Sequence, residues 1–135
     1  MKKRSYFKSQ GEHCLFQPWN FGTEPDLISF GNNVHIASGV TFINHDVIGQ
    51  MLGYMDERKY KNRVGEIKIG DNVFIGTNST ILYDVNIGNN VIIGAGSLVN
   101  KDIPSGVVAV GVPCKVVGSF EDYRSKFSVM QDKMN

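Results

Sequence analysis

Three histidines carry the most obvious chemistry in the chain: His13, His35 and His45. His45 ends the stretch Thr41-Phe-Ile-Asn-His and is followed by Asp46, just before the chain loses its regular spacing of apolar residues. A neutral imidazole can accept a proton from a hydroxyl group, because the pKa of histidine lies near neutral pH. The residues alone leave two interpretations of His45 open, a general base or a polar side chain on the surface.

A histidine base needs a partner that holds its second ring nitrogen, because that hydrogen bond fixes the tautomer. Asp46 is adjacent in sequence, but neighbouring residues of a strand point to opposite faces. A backbone carbonyl or an acid remote in sequence is therefore as compatible with the pattern as Asp46, and the orienting group stays open.

The histidines do not show the spacing of a metal site. His35 and His45 are ten residues apart, whereas zinc ligands usually come in close pairs. We therefore expect no metal ion, and we interpret His13 and His35 as surface or hydrogen-bonded side chains.

The charge balance and composition argue against several classes of protein. Lys and Arg number 14 against 13 for Asp and Glu, which leaves a formal net charge of +1. Nucleic-acid partners are not expected, because no basic stripe is visible. No apolar run approaches the roughly 20 residues of a membrane span, and the basic start lacks a signal peptide's apolar stretch. Cys14 and Cys114 fit free thiols, so we expect a single cytoplasmic domain.

A six-residue period organises the middle of the chain. A branched apolar residue recurs at every sixth position, at Ile69, Ile75, Ile81, Ile87, Ile93 and Val99. Another apolar or small residue stands two positions before each of them. An earlier block at Phe30, Ile36 and Phe42 has the same period.

This period excludes an α-helix, because six residues rotate a side chain by about 240° around the helix axis. A short strand fits, since residues two apart share one face. Corner residues that tolerate positive φ follow the strands in Gly31-Asn-Asn, Gly70-Asp-Asn and Gly88-Asn-Asn. Three hexads therefore predict a triangular coil of about 18 residues, with coils stacked at the strand spacing of roughly 4.8 Å.

The coil does not account for the whole chain. Residues 1–27 lack a clean period and are predicted to form a leading segment and an imperfect first coil, with the β-helix covering residues 28–118. The spacing of 27 residues between Phe42 and Ile69 is not a multiple of six. Residues from about 47–66 are therefore expected to leave the coil as a long extruded loop.

Residues 119–135 have the pattern of a short C-terminal helix. Ser119 followed by Asp122 suits a helix N-cap with an acid in the first turn. We expect the apolar face of this helix to pack on the β-helix or on a neighbouring subunit. The face consists of Phe120, Tyr123, Phe127, Met130 and Met134.

The tandem [Ile/Val]-Gly-x-x-x-x hexads resemble the left-handed parallel β-helix of the hexapeptide-repeat acyltransferases. The resemblance covers roughly residues 28–118 and supplies the left hand, which the period itself does not specify. It implies an all-β fold with an extruded loop and a short C-terminal α-helix. In the sugar and polysaccharide O-acetyltransferases of this family the general base is a histidine just before the extruded loop, which implies that His45 is catalytic.

The C-terminal coil resembles the acetyl-CoA-binding end of the maltose and galactoside acetyltransferases. The similar stretches are Ile93-Gly-Ala-Gly-Ser-Leu-Val-Asn-Lys-Asp-Ile-Pro104 and Val108-Ala-Val-Gly-Val-Pro-Cys-Lys115. The donor-binding residues implied by the resemblance are Thr77, Ala95, Gly96, Asn100, Lys101 and Lys115. The small residues would leave room for the pantetheine arm, and the two lysines would reach the phosphates. Thr77 would lie next to the thioester, where a backbone N–H is a candidate for stabilising the oxyanion.

The resemblance further implies a homotrimer with CoA in the groove between two subunits. The expected activity is acetyl-CoA-dependent O-acetylation of a sugar or polysaccharide-precursor hydroxyl, by direct attack with a histidine base. An amine, an antibiotic or serine remains open as the acceptor, and a noncatalytic trimeric scaffold is the alternative outside enzymes. The acceptor contacts are expected in the aperiodic segments, with Tyr6, Trp19, Asn20 and Asp26 as candidates.

Overall fold

The computed structural model describes residues 6–134, which form mainly strands of two or three residues. The strands are β1 (Ser9–Gln10), β2 (Leu15–Phe16), β3 (Ile28–Phe30), β4 (Val34–Ile36), β5 (Thr41–Ile43), β6 (Ile67–Ile69), β7 (Val73–Ile75), β8 (Thr80–Leu82), β9 (Val85–Ile87), β10 (Val91–Ile93), β11 (Leu98–Val99), β12 (Val107–Val110) and β13 (Lys115–Ser119). The α-helices are α1 (Ile48–Asp56) and α2 (Phe120–Met134), and a 3-10 turn covers Pro25–Leu27.

The strands build three flat sheets, which we call walls A, B and C. Wall A has the strand order β1-β3-β6-β9, wall B the order β13-β12-β10-β7-β4-β2, and wall C the order β11-β8-β5. Neighbouring strands within a wall are parallel, except that β13 runs antiparallel to β12. Because consecutive strands of the chain lie on successive walls, the chain forms a three-sided coil.

The six-residue period is the step from one wall to the next, as the sequence predicts. Ile69, Ile75 and Ile81 lie on walls A, B and C, and all three side chains are buried. Residues 18 positions apart stack in register, so Ile69 pairs with Ile87 in the next coil. Each buried branched side chain contributes about 1.5–3 kcal/mol through removal of its apolar surface from water.

The corners between walls A and B divide two tasks between asparagine and glycine. Asn33, Asn72 and Asn90 have positive φ angles of 58°, 56° and 57°, and their side-chain amides form a ladder with 2.9 Å hydrogen bonds. Gly31 and Gly70 have ordinary φ angles, but a Cβ on Gly31 would lie 2.6 Å from the carbonyl oxygen of Gly70. Glycine is needed here for the close approach of stacked coils, and asparagine takes the left-handed conformation.

The N-terminal segment adds a first, partial coil with an aromatic interior. β1 pairs in parallel with β3 and β2 pairs in parallel with β4, so residues 6–27 continue the walls. The rings inside this end pack edge-to-face, tilted or stacked, with Phe21 stacked on Phe42 at a centroid distance of 5.3 Å. The cluster consists of Phe7, Phe16, Phe21, Phe30 and Phe42. These rings cover the end of the aliphatic ladder, which would otherwise face water.

The C-terminal end departs from the coil before residue 118. β13 turns back antiparallel to β12, whereas the sequence pattern assigned residues 28–118 to the parallel β-helix. The reason is the tight turn at residues 111–114, which ends the hexad geometry after β12. Ser119 then caps α2, because its Oγ accepts a hydrogen bond from the N–H of Asp122 at 3.2 Å.

Both α-helices leave apolar side chains uncovered by their own chain. α2 contacts β12 and β13 but contains no buried residue, so its apolar face does not pack on the β-helix as the sequence analysis allowed. The extruded loop contains α1, which the sequence did not predict, and its exposed apolar residues include Met51, Tyr54 and Met55. Neither helix is long and apolar enough to cross a membrane within residues 6–134.

Substitution of Ile75 by alanine tests the interior ladder. Ile75 is fully buried between coils, so Ile75→Ala is expected to lower the free energy of unfolding by about 2–5 kcal/mol. Asn86→Ala is the matched control, because Asn86 is the exposed central residue of β9. Removal of this side chain is expected to change the free energy of unfolding by no more than about 0.5 kcal/mol. Urea unfolding followed by circular dichroism measures both; equal effects would contradict the ladder.

Candidate active site

His45 lies at the root of the extruded loop, two residues after β5 on wall C. The root is closed by paired hydrogen bonds, since the Asn44 side-chain amide donates to the Gly65 carbonyl at 2.9 Å and the Gly65 N–H donates to the Asn44 carbonyl at 2.8 Å. His45 itself forms an antiparallel bridge with Val64. The loop therefore leaves and rejoins the coil at one point, and hydrogen bonds hold the backbone beside His45.

The partner of His45 is Glu24, an acid from the N-terminal segment. Nδ1 of His45 lies 2.7 Å from Oε1 and 3.0 Å from Oε2 of Glu24. The Thr23 hydroxyl lies 3.2 Å from the same nitrogen and donates to Glu24 at 2.7 Å. Because a carboxylate can only accept, Nδ1 carries the proton in this contact, and in the neutral ring Nε2 then has the lone pair. The His45 side chain is 37% exposed, so it is accessible from solvent.

Glu24 is held in its charged form. Burial raises the pKa of its carboxyl, but hydrogen bonds from His45 and then Thr23 act in the opposite direction, and the net pKa is below its ordinary value. The carboxylate is therefore an acceptor at neutral pH. Of the orienting groups that the sequence left open, the structure shows the acid remote in sequence.

Asp46 serves the loop instead of the histidine. Its carboxylate accepts hydrogen bonds from the Tyr83 hydroxyl and from the Ile48 N–H, the latter at 3.1 Å. The Tyr83 bond is the main reason that the pKa of Asp46 is lowered and the pKa of Tyr83 is raised. Asp46 thus ties the start of α1 to the next coil, while Nδ1 of His45 is held by Glu24.

Three of the residues predicted to bind acetyl-CoA, Thr77, Ala95 and Gly96, lie together at the corner that precedes wall C. The Gly96 N–H donates to the Thr77 carbonyl at 2.8 Å, and the Thr77 hydroxyl donates to the Ser38 carbonyl at 2.5 Å. Gly96 has a φ of +71°, and a Cβ there would meet no atom within 4 Å. Ala95 and Gly96 are both exposed. The corner is therefore open and nearly free of side chains, which suits a thin ligand that bonds to the backbone.

The other residues predicted to bind acetyl-CoA lie further along the chain. Asn100 and Lys101 follow β11, at the same edge of wall C as His45. Lys115 begins β13, directly after Cys114, whose N–H donates to the Leu98 carbonyl at 2.8 Å. All three are exposed; Asn100 and Lys101 follow the last strand of wall C, whereas Lys115 begins the last strand of wall B.

The outer face of wall C lies between His45 and the open corner at Gly96. Thr41, Thr80 and Leu98 stack in register across it, beside the row formed by Ile43 and Leu82. None of these side chains is charged. A neutral strip therefore runs between the general-base candidate and the candidate donor corner.

Other reactive side chains lie elsewhere. Nε2 of His35 is 2.9 Å from the Asn33 side chain on wall B, and His13 is exposed in a turn with φ of 61°. Burial raises the pKa of the Cys114 thiol, so the thiol is protonated and a poor nucleophile. Within residues 6–134, no three His, Cys, Asp or Glu side chains come together as a metal site.

Sequence reasoning missed Glu24 and Thr23. They lie 21 and 22 residues before His45, outside any regular hexad. The prediction of a partial first coil could have pointed to them, because one coil of about 18 residues brings residues 6–27 beside β5.

Comparison with known proteins finds the same repeat. The family model described as bacterial transferase hexapeptide (six repeats) matches residues 66–101. Protein CapG of Staphylococcus aureus is 48% identical over 119 residues, which cover 86% of this chain and 68% of that protein. Galactoside O-acetyltransferase of Escherichia coli K12 is 41% identical over 105 residues, which cover 78% of this chain and 50% of that protein.

A solved structure gives the same result. The crystal structure of a maltose O-acetyltransferase from Clostridium difficile 630 aligns with a TM-score of 0.59 at 30% identity, covering 82% of this chain and 66% of that one. The chain thus spans between 50% and 68% of the lengths of these three relatives.

The Asp46–Tyr83 bond predicts a particular pH dependence of stability. Folding lowers the pKa of Asp46, so its contribution is complete above the ordinary aspartate pKa of about 3.9 and is lost as the pH falls through the lower folded value. Asp46→Asn is expected to reduce the melting temperature at neutral pH, with the difference from wild type shrinking in acid. Tyr83→Phe removes the donor and should behave alike. A difference that is constant from neutral pH into acid would contradict this role.

Proposed function

The chain belongs to the hexapeptide-repeat acetyltransferases, and we propose that it transfers the acetyl group of acetyl-CoA to a saccharide hydroxyl. The observation that carries the proposal is the Glu24–His45 pair, which leaves Nε2 free at the edge of a neutral, exposed wall. Two relatives are named as O-acetyltransferases of galactosides and maltose, which supports a sugar hydroxyl as the acceptor. We also propose that the coil is left-handed and that the protein acts in polysaccharide synthesis.

The proposed reaction is a direct transfer. The acceptor hydroxyl attacks the thioester carbonyl while Nε2 of His45 takes its proton, so that a C–O bond forms and the C–S bond breaks. The imidazolium is stabilised by the Glu24 carboxylate, and it returns the proton to the leaving CoA thiolate. No covalent enzyme intermediate is needed, and holding both substrates on one wall supplies much of the acceleration.

The donor is proposed to lie along the C-terminal end of wall C. Its pantetheine arm would follow the open corner at Thr77, Ala95 and Gly96, and its phosphates would meet Lys101 and Lys115. A backbone N–H at that corner would stabilise the oxyanion. Asn100 would supply a hydrogen-bonding side chain at this edge.

We also infer that three copies assemble through wall B. The outward residues of wall A are polar, as in Ser29, Lys68 and Asn86, whereas the outward row of wall B is mostly apolar. That row consists of Leu15, His35, Phe74, Ile92 and Val108. A groove of about 330 Å³ runs along it beside Phe120. A second copy that covers this wall would also remove apolar surface of α2 from water.

Activity measurements test the base. His45→Ala is expected to reduce acetyl transfer to methyl galactoside or maltose by about a hundredfold or more, since a general base contributes about 10²–10⁴. Glu24→Gln should lower kcat by a smaller factor than His45→Ala, with KM for acetyl-CoA unchanged, because Glu24 acts through His45. The kcat of Glu24→Asp should lie between those of the wild type and Glu24→Gln. Release of the CoA thiol is the readout.

Glu12→Gln is the control for these variants, because Glu12 is an exposed acid of the same segment. Undiminished turnover by His45→Ala would contradict the mechanism. Transfer to serine or an amine but to no saccharide would contradict the proposed acceptor.

Sedimentation tests the assembly. Wild type is expected at three times the mass of one chain, and Phe74→Glu is expected to dissociate it, because a carboxylate would be buried in an apolar interface. Asn86→Glu introduces the same charge at the matching position of wall A and should leave the trimer intact. A monomeric wild type, or equal behaviour of the two variants, would contradict assembly through wall B.

A further inference from the structure

An almost fully exposed tryptophan lies on the segment that also carries Thr23 and Glu24, the partners of His45. Trp19 is 98% exposed in the N-terminal segment, next to Pro18. Tryptophan is on average among the more buried residues, because its ring presents a large apolar area to water. An indole held in this position without packing against the coil is available to a ligand.

The ring borders a surface cavity of about 390 Å³. The cavity is lined by Pro18, Trp19, Asn20, Gly22, Gly39, Val40, Thr41 and Phe42. None of these residues is charged, and the side chains of Asn20 and Thr41 add polar groups. The lining therefore suits a neutral ligand with hydroxyl groups better than a nucleotide diphosphate, whose charge would find no cation there.

Short connections fix this cavity relative to His45. Asn20 accepts a hydrogen bond from the Gly22 N–H at 2.7 Å, and a Cβ on Gly22 would lie only 2.5 Å from the Phe42 carbonyl oxygen. The next residues, Thr23 and Glu24, reach His45. Four residues of extended chain span at most about 14 Å between Cα atoms, so Trp19 and the Thr23–Glu24 pair that contacts His45 belong to one short segment.

The cavity also lies on the correct side of the general base. The proposed donor residues belong to the later coils, at the C-terminal end of wall C, while the Trp19 segment covers its N-terminal end. An acceptor that meets the thioester at His45 would approach from the end that the donor does not fill, and the cavity beside Trp19 lies toward that end of the wall.

We propose that Trp19 is the stacking platform for a sugar ring of the acceptor, with Asn20 and Thr41 beside it for its hydroxyl groups. The C–H groups on the apolar face of a pyranose carry partial positive charge and pack against the negative face of the indole. This inference rests on the proposed saccharide acetylation and adds the acceptor subsite to it. Trp19 is a binding residue and takes no part in proton transfer.

Trp19 is the single tryptophan of the chain, so tryptophan fluorescence reports on this site alone. In the free protein, acrylamide is expected to quench the emission efficiently. Maltose or methyl galactoside should shift the emission to shorter wavelength and protect it from acrylamide, whereas CoA alone should not. Emission that is shielded before any sugar is added would overturn the inference, because the ring would then be covered by protein.

Kinetics of Trp19→Ala and Trp19→Phe complete the test. Trp19→Ala is expected to raise KM for the saccharide by about tenfold, with KM for acetyl-CoA unchanged and a wild-type circular dichroism spectrum. Trp19→Phe, which keeps an aromatic face, should recover part of the loss. An unchanged saccharide KM in Trp19→Ala would overturn the subsite while leaving the proposed function standing. A wild type that acetylates no saccharide at all would overturn both.

Discussion

The structure depends on the exact stacking of coils that are 18 residues apart. The branched side chains interdigitate only if each coil repeats the last, so Ile69 lies on Ile87 and Val73 on Val91. Backbone hydrogen bonds between parallel strands enforce the same register. A shift by one residue would move every apolar side chain of a strand to the outside. This constraint gives the site its precision, because residues that are remote in sequence receive fixed neighbours across coils.

The proposed chemistry uses the places where the repeat is interrupted. The partial first coil contributes Glu24 and Trp19, and the exit of the loop contributes His45. The regular coils contribute flat walls and open corners such as the one at Gly96, where a backbone can bind a thin ligand without side chains in the way. Rigid scaffold and irregular segments thus have separate tasks, as in other proteins whose binding residues lie on loops.

The sequence predicts the regular parts of the fold well. The period of six places Ile69, Ile75 and Ile81 on three walls, and the Gly-Asn corners follow, although asparagine takes the positive φ where glycine was also expected to. The aperiodic parts are not predictable in this way. Glu24 finds His45 only through stacking of the first coil, and β13 turns back through a tight turn that no hexad signals. Local patterns specify period and corners, whereas contacts between irregular segments depend on the three-dimensional stack.

The proposed chemistry requires that Glu24 hold the proton of His45 on Nδ1 and leave Nε2 free for the acceptor hydroxyl. Nitrogen-15 NMR of the imidazole rings measures this tautomer directly, with the His45 signals assigned by their loss in His45→Asn. At a pH where the ring is neutral, Nδ1 is expected to be protonated and Nε2 unprotonated, with that preference lost in Glu24→Ala. A proton on Nε2 in the wild type would contradict the proposed role of Glu24.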